Sequence, residues 1–262
     1  MHLFREGEAD MAHREVKRIC LSAGKAVLFV HGIVGTPEHF SFLLPFVPEK
    51  MSVWSLLLDG HGGSVRDFSR SSMKKWQAQV DAAVAELAET HDEIYIVAHS
   101  MGTLLTMEAA IREPKIKKLF FLAVPLKLFL RARMLKNMWK VYFDKIAPED
   151  VEAISAKRCY GIENDKNIFR YFAWLPRYLE LFSKMRKGRH MLSELNTTCF
   201  AFHSARDEMV SAKTVKYLRQ SPCILTTLLA DSGHYHYAER DLGLIIDEFK
   251  IFISEGEDGY VG

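Results

Sequence analysis

The 262-residue chain predicts an α/β domain built on a mostly parallel central sheet flanked by helices, and three observations predict it. Continuous apolar runs such as Ala26-Val27-Leu28-Phe29-Val30 show no polar alternation, the pattern of strands buried on both faces. These runs alternate with stretches of helical period, giving β-α-β-α-β-α-β over the first half of the chain. Several runs end in short loops carrying Gly, His, Ser or Asp, and in an open parallel sheet the loops after the strand C-termini share one edge where ligands bind. The length suits one large domain, or one domain with an inserted cap.

Taken in order, residues 1–13 read as poorly ordered, and Glu15 to Leu21 alternates polar and apolar like an edge strand. Ser22-Ala23-Gly24-Lys25 is a turn before the buried strand Ala26–Val30. That strand ends in His31-Gly32-Ile33-Val34-Gly35, after which Thr36 as N-cap and Pro37 in the first turn start a helix. Phe40, Leu43, Leu44 and Val47 share one face of it. Val53–Leu58 is a second buried strand, closed by the glycine-rich Asp59-Gly60-His61-Gly62-Gly63-Ser64. A helix over Met73–Glu89 places Trp76, Val80, Val84 and Leu87 on one buried face. Strands follow at Ile94–Val97 and Ile116–Val124, separated by a helix that begins near Thr103.

From residue 126 to 192 the alternation stops. This stretch is helical in character, rich in aromatics such as Phe129, Trp139, Phe143, Phe169, Phe172 and Phe182, and basic at Lys127, Arg131, Arg133, Lys136 and Lys140. It reads as a helical cap inserted into the sheet domain, its aromatics forming its own small core and its basic residues a solvated face. Strand, helix, strand and helix then resume at Thr198–Phe202, Ala212–Gln220, Ile224–Ala230 and Tyr237–Ile253, and Glu255–Gly262 is a polar tail. The expected organisation is a core of residues 14–125 and 193–254 with a cap of residues 126–192.

Composition excludes several classes of function. With 35 basic and 33 acidic residues the net charge is +2, so neither nucleic acid nor another polyanion is implied. The four cysteines lack metal-ligand spacing and fit a reducing compartment, and the eleven histidines lack paired ligand spacing, so no metal and no cofactor is expected. No apolar leader and no long apolar run occurs, which points to a cytoplasmic protein without stable membrane insertion.

The stretch Ile94-Tyr95-Ile96-Val97-Ala98-His99-Ser100-Met101-Gly102 runs from strand into helix within about five residues. Such a corner strains its central residue and projects that side chain from the sheet edge. Small residues two before and two after, Ala98 and Gly102, let strand and helix pass closely. Ser100 is the corner residue; it sits at a helix N-terminus, where the Met101 N–H and the helix dipole favour an oxyanion. The ordinary alternative is a β-α turn with a serine N-cap. Serine needs a base, and later strand ends supply an acid at Asp207 and a histidine at His234, in the chain order Ser, Asp, His. His236, Glu208 and Asp231 lie close to these and compete with them; Asp207 is preferred over Glu208 for its shorter reach, and Asp231 for a turn cap. His31 and His99 are expected to hydrogen-bond loop backbones, and Asp59 and His61 to shape the glycine-rich loop.

Over residues 14–254 these pieces together, the early His31-Gly32, Asp59-Gly60-His61-Gly62, Ala98-His99-Ser100-Met101-Gly102, Ala205-Arg206-Asp207-Glu208-Met209-Val210 and Ser232-Gly233-His234, resemble the α/β-hydrolase superfamily in its carboxylesterase and monoacylglycerol-lipase branch. The first small position of the elbow carries Ala98 where the family pattern has glycine. The resemblance implies an α/β-hydrolase fold with a cap inserted after the sixth strand and a serine esterase acting through an acyl-enzyme. Ser100 is then the nucleophile, His234 the base, Asp207 its orienting acid, and the Ile33 and Met101 N–H groups the oxyanion hole. The implied partner is a small ester with an apolar acyl group, short to medium acyl esters or monoacylglycerols. The same triad on thioester, amide, lactone or C–C substrates, and a non-catalytic ligand-binding protein, are the alternatives.

Overall fold

The computed structural model describes residues 13–128 and 132–254, so all but the last residue of the start expected to be poorly ordered over residues 1–13, the polar tail from 255, and Phe129 and Arg131 lie outside the described residues. The elements are β1 (Val16–Arg18), β2 (Lys25–Val30), β3 (Ser52–Leu56), β4 (Gly63–Ser64), α1 (Val65–Arg70), α2 (Met73–Thr90), β5 (Glu93–His99), α3 (Met101–Arg112) and β6 (Ile116–Leu122). There follow α4 (Ala132–Tyr142), α5 (Val151–Cys159), β7 (Ile162–Glu163), α6 (Leu175–Met191), β8 (Thr198–Ser204), α7 (Thr214–Leu218), β9 (Ile224–Leu229) and α8 (Glu239–Ile253).

Seven strands form one sheet in the order β1-β3-β2-β5-β6-β8-β9. Every neighbouring pair is parallel except the edge pair β1/β3, which is antiparallel. The apolar runs are explained by burial on both faces. In β2, Ala26, Leu28 and Val30 face a core shared with Trp76, Val80, Leu104 and Leu105 of α2 and α3. Val27 and Phe29 face the opposite core, with Phe249 and Phe252 of α8. The order reverses between β2 and β5, since the chain leaves β2 towards β3 and leaves β5 towards β6. A crevice opens at such a reversal, beside the C-terminal ends of the two strands.

Two expectations change. The stretch after Pro37 is not one α-helix but two 3₁₀ turns, Pro37–Phe40 and Leu44–Phe46, because Pro45 cannot donate the backbone bond that would carry a helix through. Phe40, Leu43 and Val47 are buried there as the pattern demanded, while Leu44 is only half-buried. Second, an unanticipated helix, α1, follows the glycine-rich loop. Ser64 and Asp67 form a reciprocal capping box at its start, a Ser-x-x-Asp signal readable in the sequence.

Between β6 and β8 the chain forms α4, α5 and α6, a 3₁₀ segment Ile168–Trp174, and the short β7. The insertion is therefore not wholly helical: β7 pairs in parallel with β4 as a separate two-stranded sheet. It follows the sixth strand in chain order, which is the fifth strand of the main sheet. All four cysteines are free thiols.

Candidate active site

Ser100 sits where β5 turns into α3, at φ +50° and ψ −122°. A non-glycine residue there is strained, and the surroundings hold it. Its N–H donates to the Leu122 carbonyl of the neighbouring strand end at 2.9 Å, and its carbonyl accepts from the Thr103 hydroxyl at 2.7 Å. The glycine two residues on is required: a Cβ on Gly102 would overlap the carbonyl oxygen of Val30. Ala98 at the other small position is fully buried and fits.

The crevice places the loop after β2 against this corner. A Cβ on Gly32 would stand 2.9 Å from the Ser100 Cβ. Two histidines fix the loop. His31 Nδ1–H donates to the Gly32 carbonyl at 2.9 Å and its Nε2 accepts from the Leu58 N–H at 3.1 Å, tying the ends of β2 and β3 together. His61 Nε2 accepts from the Val34 N–H at 3.1 Å, holding Val34 at φ +53°. Its Nδ1 reaches the Leu58 carbonyl at 3.1 Å. Both rings are therefore neutral, and burial keeps them so: His31 is held well below the ordinary imidazole value and His61 is pushed down to about 4. The buried amides of Ile33 and Met101 donate to no carbonyl or side chain among the described residues, leaving two N–H groups beside Ser100.

Asp207 lies beyond β8 and His234 beyond β9, and the fold brings the two together. The Nδ1–H of His234 donates to Asp207 Oδ2 at 2.8 Å, both side chains being buried. The other carboxylate oxygen accepts from the N–H groups of Met209 at 2.8 Å and Val210 at 2.7 Å. Burial alone pushes the Asp207 carboxyl up, but the His234 charge and these hydrogen bonds outweigh it, and it sits below its usual value. Burial pushes His234 down, and the adjacent carboxylates of Asp207 and Glu208 more than reverse that, so its imidazole sits above its ordinary value. With Nδ1 protonated, Nε2 carries a bare lone pair. That atom is buried and accepts no hydrogen bond among the described residues. Ser100 and His234 are thus not hydrogen-bonded to each other. They are linked through the backbone: His99, next to Ser100, donates from Nε2 to the His234 carbonyl at 3.1 Å, their ring centroids 4.7 Å apart.

The competing residues go elsewhere. Glu208 accepts from the His234 backbone N–H at 3.1 Å and so fixes the loop, leaving the imidazole to Asp207. His236 faces the Ser155 hydroxyl at 3.4 Å, and Asp231 pairs with Arg206 at 2.8 Å. His31, His61 and His99 all hydrogen-bond loop backbone, as their positions suggested. One participant has no signal in the sequence: His39, buried on the first 3₁₀ turn, stacks on His99 at 3.8 Å. Burial pushes His39 down to about 3.

A family model described as the alpha/beta hydrolase family matches residues 27–247. The chain belongs to that family. A thermostable monoacylglycerol lipase from Bacillus sp. (strain H-257) is 32% identical over 91 residues, a stretch covering 34% of this chain and 36% of that protein. The match thus spans about a third of either chain. Among solved structures, one of the metagenome-derived lipolytic enzymes LipS and LipT superposes with a TM-score of 0.69 at 19% identity, covering 92% of this chain and 97% of the other. The haloalkane dehalogenase DbeA from Bradyrhizobium elkani USDA94 superposes at 0.61 and 16% identity, covering 92% and 97%. At these identities the likeness establishes the α/β-hydrolase fold, which hosts several chemistries.

Proposed function

We propose that the protein is a serine hydrolase of carboxylic esters, with Ser100 as nucleophile, His234 as general base and Asp207 as the acid that orients it. The observation that carries this is the buried 2.8 Å pair of Asp207 with His234 Nδ1, which leaves Nε2 unprotonated on a residue bonded to His99, the neighbour of a serine held at a strained corner. The hydroxyl engages that lone pair when substrate arrives, since catalytic hydrogen bonds often tighten only in the complex. Ser100 Oγ attacks the ester carbonyl and its proton passes to His234 Nε2. The Ile33 and Met101 N–H groups receive the negative charge that builds on the carbonyl oxygen. His234 returns the proton to the departing alcohol, and water then hydrolyses the acyl-serine by the same route. The dehalogenase likeness is outweighed at the elbow, because displacement at carbon needs a carboxylate there and this chain has Ser100.

The partial match to a monoacylglycerol lipase, and the insertion between β6 and β8 taken as a cap on the sheet edge, support an apolar acyl group: short to medium acyl esters or monoacylglycerols. Only 6% of Ser100 is exposed, so such a cap also controls entry. The test is covalent labelling by a fluorophosphonate, with the adduct located by mass spectrometry, alongside turnover of p-nitrophenyl esters of graded chain length. Labelling at Ser100, lost together with about a thousandfold or more of the ester turnover in Ser100→Ala, is the expected result. Turnover that survives Ser100→Ala overturns the assignment.

A further inference from the structure

We propose that the outer face of the insertion is a docking surface for an anionic lipid bilayer, whichever ester the active site takes. Of the 19 exposed large apolar side chains among the described residues, 11 fall between residues 138 and 182. Five of them form one line. In the 3₁₀ segment side chains three apart eclipse each other. Phe169, Phe172 and Leu175 therefore point one way, while Tyr171 and Trp174 turn inward and pack at 4.8 Å. Where the chain continues as α6 the spacing changes to four and three, and Leu179 and Phe182 extend the same line. The rings of Phe169 and Phe172 stack at 6.3 Å, and the five residues are 47–74% exposed. The line is roughly 22 Å long from the rises of the two helix types. The opposite face of α6 already has its partner, with Leu181 and Met185 in the core beside α3. Helix α6 therefore carries two apolar faces and needs only one for folding. An exposed apolar strip of this extent marks an interaction site.

Charge selects the partner. Residues 126–192 hold 15 Lys and Arg against seven Asp and Glu, a net +8, so the remainder of this +2 chain carries −6. Arg186, exposed and four residues beyond Phe182, lies where the apolar line ends. A second copy of the chain docked here would set +8 against +8. A bilayer with acidic headgroups accepts the apolar line between its acyl chains and the net positive charge of the insertion at its surface, and the rest of the molecule, being acidic, turns away from it.

The experiment is co-sedimentation of the full chain with vesicles of phosphatidylcholine alone or of phosphatidylcholine and phosphatidylglycerol in equal parts, at low and high NaCl, with the oligomeric state followed by analytical ultracentrifugation. The expected result is binding about tenfold or more stronger to the acidic vesicles, weakened by salt, and lost in the double variant Leu179→Asp/Phe182→Asp. Both sites are exposed, so the variant should keep the parent's melting temperature and its turnover of a water-soluble ester. Arg186→Glu should weaken binding without abolishing it. No sedimentation, equal binding to both vesicle types, or a dimer that the double variant dissociates would each overturn the proposal; the last would mean that the face seats a second copy.

Discussion

At the scale of single residues the site rests on where protons are held. His234 donates Nδ1–H to Asp207, and that bond sets which ring nitrogen is basic. Asp207→Asn leaves an amide that can stabilise the wrong tautomer, and by analogy with serine proteases kcat should fall by about ten-thousandfold with little change in KM. Glu208→Gln, which changes the group that accepts from the His234 backbone N–H, should cost far less, up to about a hundredfold, through misplacement of the loop. Stopped-assay kinetics on one ester separate the two. Because the Asp207 carboxylate holds His234 above its ordinary value, and the base must be neutral, kcat/KM should rise with pH along a limb centred above the usual imidazole range. A limb below that range would contradict the electrostatics. The histidines around it behave oppositely. His39, pushed down to about 3, His61, pushed down to about 4, and His31 and His99 are neutral when folded and take up protons on unfolding below about pH 6.5. Unfolding then binds protons, so stability falls as pH falls, by roughly 1.4 kcal/mol per pH unit for each histidine while it titrates only in the unfolded chain. The melting temperature should drop between pH 7 and pH 5, and His39→Gln should flatten that slope; a flat profile in the parent would exclude the mechanism. The placement of Ser100, Asp207 and His234 at strand ends was legible because each follows an apolar run and carries a reactive group. His39 was not, because its importance comes from stacking on His99 across the sheet edge, which no local pattern encodes.

At the scale of elements, the crossing of α3 over β2 is a tight point in the core. Gly102 brings the first turn of α3 onto the Val30 carbonyl with no room for a methyl group. Gly102→Ala should therefore destabilise the chain by about 3 kcal/mol, measured by urea unfolding, whereas Ala98→Gly, which only loosens a buried strand, should cost about 1 kcal/mol. The buried strands and the Met73–Thr90 helix were legible because their burial pattern is local: two-sided apolar runs, and a stripe of Trp76, Val80, Val84 and Leu87. The 3₁₀ turns after Pro37 were not. Apolar spacing there satisfies a helix, and the chain instead obeys its prolines. Helix α1 is six residues long, too short to display a period, and its capping box is its one signal in the sequence.

At the scale of the whole molecule, the insertion is bound to the sheet domain by polar contacts as well as by packing. Lys184 reaches Glu108 of α3 at 2.5 Å and Gln77 of α2 at 2.6 Å, Arg177 donates to the Ser69 and Ser71 carbonyls, and Trp174 donates to the Val65 carbonyl at 3.0 Å. Lys184 and Glu108 are both largely buried, so Lys184→Met leaves Glu108 short of one partner and should lower stability by about 2 kcal/mol, read as a shift in the single unfolding transition that such an interlocked pair of segments should show. Separate transitions would mean that the two parts fold apart. The break in strand–helix alternation between β6 and β8 was legible, but the attachment of the segment between them was not, since residues more than 70 apart make it. One such attachment reaches the reacting centre. The Gly161 N–H donates to the Val34 carbonyl at 2.9 Å while its own carbonyl accepts from the Gly62 N–H, and a methyl group on Gly161 would collide with Thr36. The insertion is thereby stitched by main-chain bonds to two loops of the sheet domain, one after β2 and one after β3, and on the proposed reading any shift of the inserted segment would be felt at the residue beside Ile33.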